Sequence, residues 1–380
     1  MAEPNWEEIA ALFPITKDLI YLDNAAMSPY CIPVQTAIER FLKDRALKAA
    51  QFDVWWNAAD ELRRKISRLV NCRPSQVAFN ESTTMSMNII AQGLPLHVGD
   101  NILLTEYEFP ANVYPWLNLK HKGIDIRFVP GDRELISMDA LYRAADDHTR
   151  VLSVSHVAFC NGFRADLNGL KAFCEERNII FVVDGMQSVG ALEIDFESIG
   201  MDALCFGGFK WLLGPDGLGF ICCKENLLES LRPVYIGWAG MKNKEDFFSY
   251  ELQLADNASR FELGNLNFSA IVTMNAALDF IGSIGIKHIE KRIIQLSEYL
   301  FDRLENLLDL GITLHLPRYR SARSQIVCFD TPNHDRMMET FKQSKIKLGN
   351  PGCFRAAPHF YNSFGELDTL ISVVQNTIEH

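Results

Sequence analysis

Two stretches of the sequence decide the fold: Phe181-Val182-Val183-Asp184-Gly185-Met186-Gln187 and, further along, Phe206-Gly207-Gly208-Phe209-Lys210-Trp211-Leu212-Leu213-Gly214-Pro215. Each begins as a short apolar run and passes into a glycine-containing turn, as a buried strand followed by a loop does. Asp184 closes the first run, and Lys210 lies just beyond the second, among aromatic and leucine side chains. The sequence therefore predicts one acid at the end of an apolar strand and one lysine just beyond another.

Short apolar runs of this kind alternate with helical stretches, which predicts an α/β fold with a mostly parallel sheet covered on both faces. The seven strands are predicted at 76–80, 101–106, 124–129, 151–156, 179–184, 203–206 and 219–223, and the helices at 55–71, 85–93, 111–121, 138–145 and 168–177. A helical region at 271–310, interrupted near 282–285, precedes short elements at 313–316, 325–329, 337–342, 354–356 and 366–377. We predict a large domain over 20–275 and a smaller α/β domain over 276–380, which also includes 1–19.

The composition is that of a globular protein: 380 residues, 48% hydrophobic and 22% charged, long enough to bury a substantial core. The formal net charge of -11 argues against nucleic acid or a membrane as partner, because both reward a basic surface. No signal peptide and no bilayer-spanning run is evident, so we expect a cytoplasmic protein. The nine cysteines are expected to be reduced thiols, and they lack the spacing of a metal site.

The acid and the lysine together suit pyridoxal phosphate chemistry. A lysine holds the aldehyde of that cofactor as a Schiff base and must lose its proton near neutral pH, and burial lowers a lysine pKa. Asp184 can place an anion beside the pyridine nitrogen, which makes the ring a better electron sink. Taken singly, a solvent-facing aspartate and a surface lysine are the simpler interpretations.

Three segments, at 21–26, 184–190 and 210–219, carry a family resemblance when they are taken in order. They resemble the class V aminotransferases, fold-type I pyridoxal phosphate enzymes that include cysteine desulfurases, selenocysteine lyases, kynureninases and isopenicillin N epimerase-like proteins. The resemblance implies pyridoxal 5'-phosphate as cofactor, with Lys210 and Asp184 as catalytic residues. It also implies a small amino-acid substrate and a homodimer with shared active sites.

The resemblance extends to the cofactor contacts. The turn at 80–85 opens a helix, where free N–H groups favour an anion, and Thr83 matches the family's phosphate-binding threonine, with Ser82 and Thr84 beside it. Phe109 falls where desulfurases place a histidine against the cofactor ring, and Gln187 matches the glutamine that hydrogen-bonds the phenolic oxygen. A Ser/Thr helix cap, a core phenylalanine and an exposed loop glutamine are the alternatives.

The substrate contacts follow in the same way. The segment 354–362 resembles the family motif in which an arginine binds the substrate carboxylate with its fork of donors, so Arg355 is the expected contact. Asn24 is expected to contact the substrate as well. Asn265 falls at the position of the threonine that the partner subunit contributes to the cofactor, and its amide can still donate. A surface salt bridge and a loop asparagine without a ligand are the alternatives for Arg355 and Asn265.

The sequence departs from desulfurases at several of these positions. Gly207 and Phe209 stand where desulfurases carry a serine and a histidine on the phosphate. Phe159 stands where they have an asparagine, for which Asn161 could substitute. The loop cysteine that carries the persulfide has no counterpart at 340–352, and Cys353 is a poor candidate because it lies only two residues before the arginine.

These observations predict an enzyme that moves the α-proton of a small amino acid with Lys210, as an aminotransferase or a C–S lyase. The alternatives are an epimerase of the isopenicillin N epimerase type and a cysteine desulfurase or selenocysteine lyase. A catalytically silent scaffold of this fold is the non-enzyme alternative, which the retention of Lys210, Asp184 and Arg355 disfavours. A doubly wound nucleotide-binding module is disfavoured because the turn at 80–85 has no glycine.

Overall fold

The computed structural model describes residues 3–379 apart from 133, 134, 249, 316 and 318. The strands are β1 (Ile20–Tyr21), β2 (Val77–Asn80), β3 (Asn101–Thr105), β4 (Asp125–Val129), β5 (Gly131–Asp132), β6 (Leu135–Ile136), β7 (Thr149–Ser155), β8 (Ile180–Asp184), β9 (Ala203–Gly207), β10 (Gly219–Cys223), β11 (Thr313–Leu314), β12 (Val327–Asp330), β13 (Ile346–Lys347) and β14 (Phe354–Ala356). The helices are α1 (Trp6–Ala10), α2 (Ile32–Leu47), α3 (Phe52–Leu69), α4 (Thr83–Gly93), α5 (Tyr114–Leu117), α6 (Met138–Ala144), α7 (Leu167–Glu176), α8 (Phe196–Ile199), α9 (Glu225–Ser230), α10 (Phe268–Ile284), α11 (Ile286–Glu305), α12 (His334–Gln343) and α13 (Phe364–Glu379).

The largest sheet has seven strands in the order β2-β10-β9-β8-β7-β3-β4. Neighbours from β9 to β4 run parallel, whereas β10 is antiparallel to both β9 and β2. The connection 208–218 between β9 and β10 contains no helix, and a parallel crossover needs a longer connection that is usually helical. The predicted mostly parallel sheet is confirmed, and its predicted strands agree with the observed ones to within two residues at each end.

Both faces of this sheet are buried. Leu103 of β3 packs in one apolar cluster with Leu152 of β7, whereas its neighbours Ile102 and Leu104 pack in a second cluster. Successive side chains of a strand point to opposite faces, so two buried faces require a continuous apolar run rather than an alternating one. This is why these strands could be recognised in the sequence.

Two helices differ from the prediction. The predicted helix 111–121 is interrupted: 3-10 turns at Pro110–Asn112 and Asn118–Lys122 flank the short α5. Proline has no N–H to donate, and Pro110 and Pro115 both fall in this segment. Helix α2 has no predicted counterpart, because only Val34 and Phe41 of its side chains are buried and the apolar periodicity is therefore sparse.

The C-terminal part has its own three-stranded sheet, β11-β12-β14, while β1 pairs in parallel with β13. A third apolar cluster, which includes Leu300, Phe329 and Leu370, packs there, and Leu22 from the N-terminal segment joins it. A small α/β lobe is thus present, and the domain boundary near residue 275 stays a prediction. Leu316, the last residue of the predicted strand 313–316, lies outside the described residues.

The predicted interruption of the long helical region is confirmed at Gly285, where α10 gives way to α11. Gly285 has φ +90°, a conformation that glycine adopts at little cost. Nowhere in the described part of the chain does one helix alone have the length and apolar composition needed to cross a bilayer. Helices α10 and α11 meet that requirement only as a pair bent by 79°.

Candidate active site

A cavity of about 520 Å³ lies at the edge of the large sheet where β7 and β8 end. Ser155 is the last residue of β7, Asp184 is the last residue of β8, and both line the cavity. Open α/β sheets bind their ligands at this edge, outside the carboxyl ends of the strands. All but two of the predicted site residues line it: Ser82, Thr83, Thr84, Phe109, Asp184, Gln187, Lys210 and Arg355.

Asp184 is a buried acid with a single hydrogen-bond donor from the backbone. The residue is 4% exposed, and its Oδ1 accepts a 2.8 Å hydrogen bond from the amide of Met186. Burial raises the pKa of Asp184 to about 7, and the Glu108 carboxyl nearby raises it as well, whereas Lys210 lowers it. A cation placed against this carboxyl would favour its charged form.

Lys210 lies in the loop that follows β9 and is itself buried. Its Nζ atom is 5.7 Å from the ring centroid of Phe109 and 5.8 Å from that of Phe209. Burial lowers the pKa of Lys210 to about 8, against the opposing effect of Asp184. Such an amine loses its proton more readily than an ordinary lysine, as a nucleophilic or proton-transferring amine must.

Helix α4 begins at the cavity. Ser82 is its N-cap, and Oγ of Ser82 accepts a 3.2 Å hydrogen bond from the amide of Met85. The capping interaction uses the hydroxyl oxygen as acceptor, so its O–H remains a donor. Together with the free N–H groups of the first turn and the hydroxyls of Thr83 and Thr84, this helix end can hold a phosphate group.

A methionine occupies the space beside this turn. Sδ of Met186 accepts hydrogen bonds from Oγ1 of Thr83 at 3.3 Å and from the amide of Gly207 at 3.2 Å. A Cβ atom at position 207 would come within 3.2 Å of that sulfur and 3.4 Å of Oγ1 of Thr83. The glycine therefore leaves room for the methionine, which explains why a serine is absent from this position.

Arg355 is buried and anchored on two sides. Its Nη1 donates to the carbonyl oxygen of Phe159 at 3.0 Å, and its Nη2 donates to Oδ1 of Asp23 at 3.2 Å. Its Nε is buried and has no hydrogen-bond partner among the described residues. Gly349 permits this geometry, because a Cβ there would lie 2.9 Å from both Nε and Nη2. The arginine is thus held in place with donor capacity left for a substrate carboxylate.

The other two predicted residues, Asn24 and Asn265, do not line this cavity. Nδ2 of Asn24 donates to the carbonyl of Ala357 at 2.9 Å, and its Oδ1 accepts from Ser28 and Tyr361, so its amide joins the N-terminal segment to the C-terminal one. Asn265 lines a separate cavity of about 420 Å³. Its contribution to the active site of a second subunit stays a prediction.

Two further amides differ from expectation. Gln187 lines the cavity, but it is 4% exposed, and its amide donates to Ala25 and accepts from Trp211, both at 2.9 Å. The exposed-glutamine alternative is therefore wrong, and a contact with the cofactor stays a prediction. Asn161 does not line the cavity, and its Oδ1 accepts a hydrogen bond from the amide of Phe163. Its position outside the cavity lining gives no support to Asn161 as a substitute for the family asparagine.

A buried polar network beneath the cavity was not foreseen from the sequence. The Glu108 carboxylate accepts four hydrogen bonds, from Oγ1 of Thr105, Nδ2 of Asn112, and both the amide and Oγ of Ser155. Burial raises the pKa of Glu108, and these donors counter that effect. The network joins the ends of β3 and β7 and fixes the backbone just before Phe109. The four-residue spacing of Glu108 and Asn112 could have indicated that they contact each other. Their partner Ser155 lies on another strand, so nothing in the sequence indicated the whole network.

None of the nine cysteines, all of which lie in the described part of the chain, lines the cavity. Cys353 is buried, and its Sγ lies 4.0 Å from the carbonyl oxygen of Cys160. A hydrogen bond with Cys328 lowers the pKa of Cys353 and raises that of Cys328. The thiol of Cys353 is thus directed toward other protein groups.

The cavity fits pyridoxal phosphate on its own chemistry. It brings together a buried amine of lowered pKa, a buried carboxyl that favours a cation, a helix N-terminus with hydroxyls, and the ring of Phe109. Lys210 could hold the aldehyde and Asp184 the ring nitrogen, while the start of α4 could hold the phosphate. Neither Lys210 nor Asp184 has an ion-pair partner among the described residues, so each is left for a ligand.

Comparisons with known proteins agree with this site. Residues 20–350 match the family model for class V aminotransferases. A probable cysteine desulfurase from Pyrococcus abyssi is 28% identical over 407 aligned positions, which cover 98% of each chain. The apo structure of a cysteine desulfurase from Thermococcus onnurineus NA1 is similar with a TM-score of 0.89 at 25% identity, covering 100% of this chain and 99% of that one.

A third similar protein is the cystine C–S lyase C-DES, whose structures include a complex with its reaction product, cysteine persulfide. Another of its structures has glycine covalently linked to the PLP cofactor. The alignment with that structure covers 95% of this chain and 97% of the C-DES chain, with a TM-score of 0.86 at 23% identity. At this identity the similarity shows the fold alone. The fold is that of fold-type I pyridoxal phosphate enzymes. Because the family match spans most of its length, the chain belongs to the class V aminotransferase family and is a pyridoxal-phosphate-dependent enzyme.

Proposed function

We propose that this enzyme cleaves the carbon–sulfur bond of a cysteine-type amino acid. The observation that carries the proposal is the single cavity that contains Lys210, Asp184 and Arg355, without a cysteine among its described lining residues. Pyridoxal phosphate, when bound, supplies an electron-withdrawing ring that accepts the electron pair left after the α-proton departs. The residues of the chain then determine how the substrate is held and where its proton goes.

Arg355 binds the substrate carboxylate. Its guanidinium is held by Asp23 and by the backbone of Phe159, so the carboxylate meets a donor group that is already oriented. Lys210 takes the α-proton on Nζ, for which its lowered pKa suits it. Asp184 keeps the ring nitrogen protonated, and its buried position makes that contact strong.

The choice among reaction types rests on the relatives and on the thiols. The relatives described above are named cysteine desulfurases, which favours carbon–sulfur cleavage over transamination and over epimerisation. A desulfurase passes sulfur to its own cysteine, yet Cys353 contacts Cys328 and the backbone of Cys160 instead of the cavity. We therefore place a C–S lyase that releases sulfur directly ahead of a persulfide-forming desulfurase.

The assembly and location that we propose follow the family resemblance. The enzyme acts as a homodimer with shared active sites, in which Asn265 reaches the cavity of the second subunit. It works in the cytoplasm on a free amino acid. A large domain over 20–275 supplies the cofactor contacts, and the smaller domain, over 276–380 with 1–19, supplies Arg355.

The test is a product analysis of the holoenzyme with L-cysteine as the common substrate. Sulfide with pyruvate and ammonia, formed without any reductant, supports the lyase, whereas alanine, with sulfide released only when a thiol reductant is added, indicates a desulfurase. Keto acid formed only with an added keto-acid acceptor, and without sulfide, indicates an aminotransferase. Loss of optical activity alone indicates an epimerase.

Two variants make this test decisive. Lys210→Ala removes the amine and should abolish every product. Cys353→Ser should leave sulfide production unchanged in a lyase, because its thiol lies outside the cavity. A loss of at least tenfold in Cys353→Ser, together with alanine as product, would overturn our preference and establish the desulfurase.

A further inference from the structure

Phe109 and Phe159 line the cavity, and the proposed C–S cleavage leaves their side chains largely unexplained. Only the stacking of Phe109 on the cofactor is predicted. The rings of Phe109 and Phe159 pack edge to face, with centroids 5.1 Å apart and planes at 82°. Both residues line the cavity, and Phe109 is 45% exposed even though it is a large apolar side chain. A pair of aromatic rings inside a ligand cavity can bind an apolar group.

The pair lies near both groups that would hold a substrate. Nζ of Lys210 is 5.7 Å from the ring centroid of Phe109, and Nη1 of Arg355 is hydrogen-bonded to the carbonyl oxygen of Phe159. An amino acid with its carboxylate at Arg355 and its α carbon within reach of Lys210 therefore has this aromatic pair next to its side chain.

Two of the polar lining groups are engaged within the protein. Oγ of Ser155 donates to Glu108, and the amide of Asn350 contacts His334. The remaining neighbours include the apolar side chains of Ala111 and Val157. A charged substituent would lose hydration beside the two aromatic rings, whereas an apolar one loses little.

Sulfur chemistry is compatible with such a substituent. With the thiol of Cys353 directed at the carbonyl of Cys160, the cavity offers no acceptor for a sulfur atom among its described lining residues. The sulfur must then leave together with whatever group it carries. A substituted sulfur leaves as a complete thiol and an unsubstituted one leaves as sulfide, and neither needs a protein acceptor.

We propose that Phe109 and Phe159 bind the apolar S-substituent of a cysteine S-conjugate, and that such conjugates are the substrate class of this enzyme. The inference rests on the proposed C–S cleavage. The overall reaction is R–S–CH₂–CH(NH₃⁺)–COO⁻ + H₂O → R–SH + pyruvate + NH₄⁺. The Cβ–S bond breaks with its electron pair on sulfur, which takes a proton, and the reaction needs no oxidant or reductant.

The experiment measures binding rather than turnover. Holoenzyme carrying Lys210→Ala, which cannot release product, is titrated calorimetrically with S-benzyl-L-cysteine, S-methyl-L-cysteine and L-cysteine. The benzyl conjugate is expected to bind about 10- to 100-fold more tightly than L-cysteine, the range that apolar pocket contacts provide. Adding Phe159→Asn should remove most of that preference, while Phe159→Leu should give an intermediate value.

Phe128→Asn is the matched control, because Phe128 is 42% exposed and lies on β4, outside the cavity lining. It should preserve the preference for the benzyl conjugate. The inference is overturned if the three ligands bind with equal affinity. It is also overturned if the preference for the benzyl conjugate survives Phe159→Asn in a variant whose urea midpoint is unchanged. Either result leaves C–S cleavage of cysteine itself intact. Tight benzyl binding without thiol release by the enzyme that retains Lys210 instead overturns the proposed function.

Discussion

Oδ1 of Asp23 lies 3.2 Å from Nη2 of Arg355, and both residues are buried at the cavity. Asp23 precedes helix α2 in the chain, whereas Arg355 lies on β14, so the contact joins the two ends of the chain. A second cation, Lys347, lies 3.9 Å from the same aspartate. Asp23 thus fixes the direction of the guanidinium that we propose to bind the substrate carboxylate.

Arg355→Ala should raise KM for the amino-acid substrate about 100-fold, because a buried charge-assisted hydrogen bond is lost. Arg355→Lys should fall in between, since lysine keeps the charge but not the fork of donors. Steady-state kinetics with L-cysteine measures the effect.

Arg320→Ala is the control for this prediction, because Arg320 forms an exposed ion pair with Glu298 away from the cavity. Binding of cysteamine, which has no carboxylate, should be the same in the wild-type protein and in Arg355→Ala. An unchanged KM for L-cysteine in Arg355→Ala would remove this residue from substrate binding.

Gly349→Ala should raise KM about tenfold while the cofactor content stays normal. The added Cβ would come within 2.6 Å of Oδ1 of Asp23 and 2.9 Å of Nε of Arg355, so this ion pair has to shift. Absorbance of the bound cofactor and KM are measured on the same preparation.

Gly282→Ala in α10 serves as the control, since a Cβ there has no neighbour within 4 Å. It should leave KM unchanged and stabilise the helix by about 0.5–1 kcal/mol. A KM for Gly349→Ala equal to that of Gly282→Ala would contradict the packing explanation.

Lys210→Met should stabilise the cofactor-free protein at pH 7 by about 3 kcal/mol, the equivalent of a pKa lowered from 10.5 to about 8. Below pH 8 the amine is charged in the folded and the unfolded state, so its full burial cost is present. As pH rises from 8 to 10.5 the folded amine becomes neutral first, and the cost disappears. Urea unfolding at pH 7 and pH 10.5 measures the difference, and a gain that is constant across this range would rule out the explanation.

Glu108→Ala should lower the free energy of unfolding by about 2–4 kcal/mol, because four buried donors lose their acceptor. Glu108→Gln should cost less, since one amide oxygen still accepts. Glu229→Ala, at an exposed position, is the control and should change stability by less than about 0.5 kcal/mol. Equal urea midpoints for Glu108→Ala and Glu229→Ala would show that the network contributes little.

Much of the fold could be predicted because the sheet is buried on both faces. Each central strand is a continuous apolar run, and Asp184 and Lys210 were visible as charged residues at the ends of such runs. Helix α2 escaped prediction because its surface is mostly exposed and carries few apolar residues. The helix predicted at 111–121 is broken into short turns around Pro115, which outweighs its apolar pattern.

The sequence by itself determined the family and the cofactor class: the lysine, the acid, the helix start at Ser82 and the arginine are local features, and their order along the chain carries the resemblance. Only the tertiary structure decided how those groups are held and what surrounds them. The contact of Asp23 with Arg355, the sulfur of Met186 beside Gly207, the burial of Asn24 and the direction of Cys353 each join segments that are far apart in the chain. Such contacts depend on how the elements pack in three dimensions, and local patterns of apolar and polar residues carry no record of that packing.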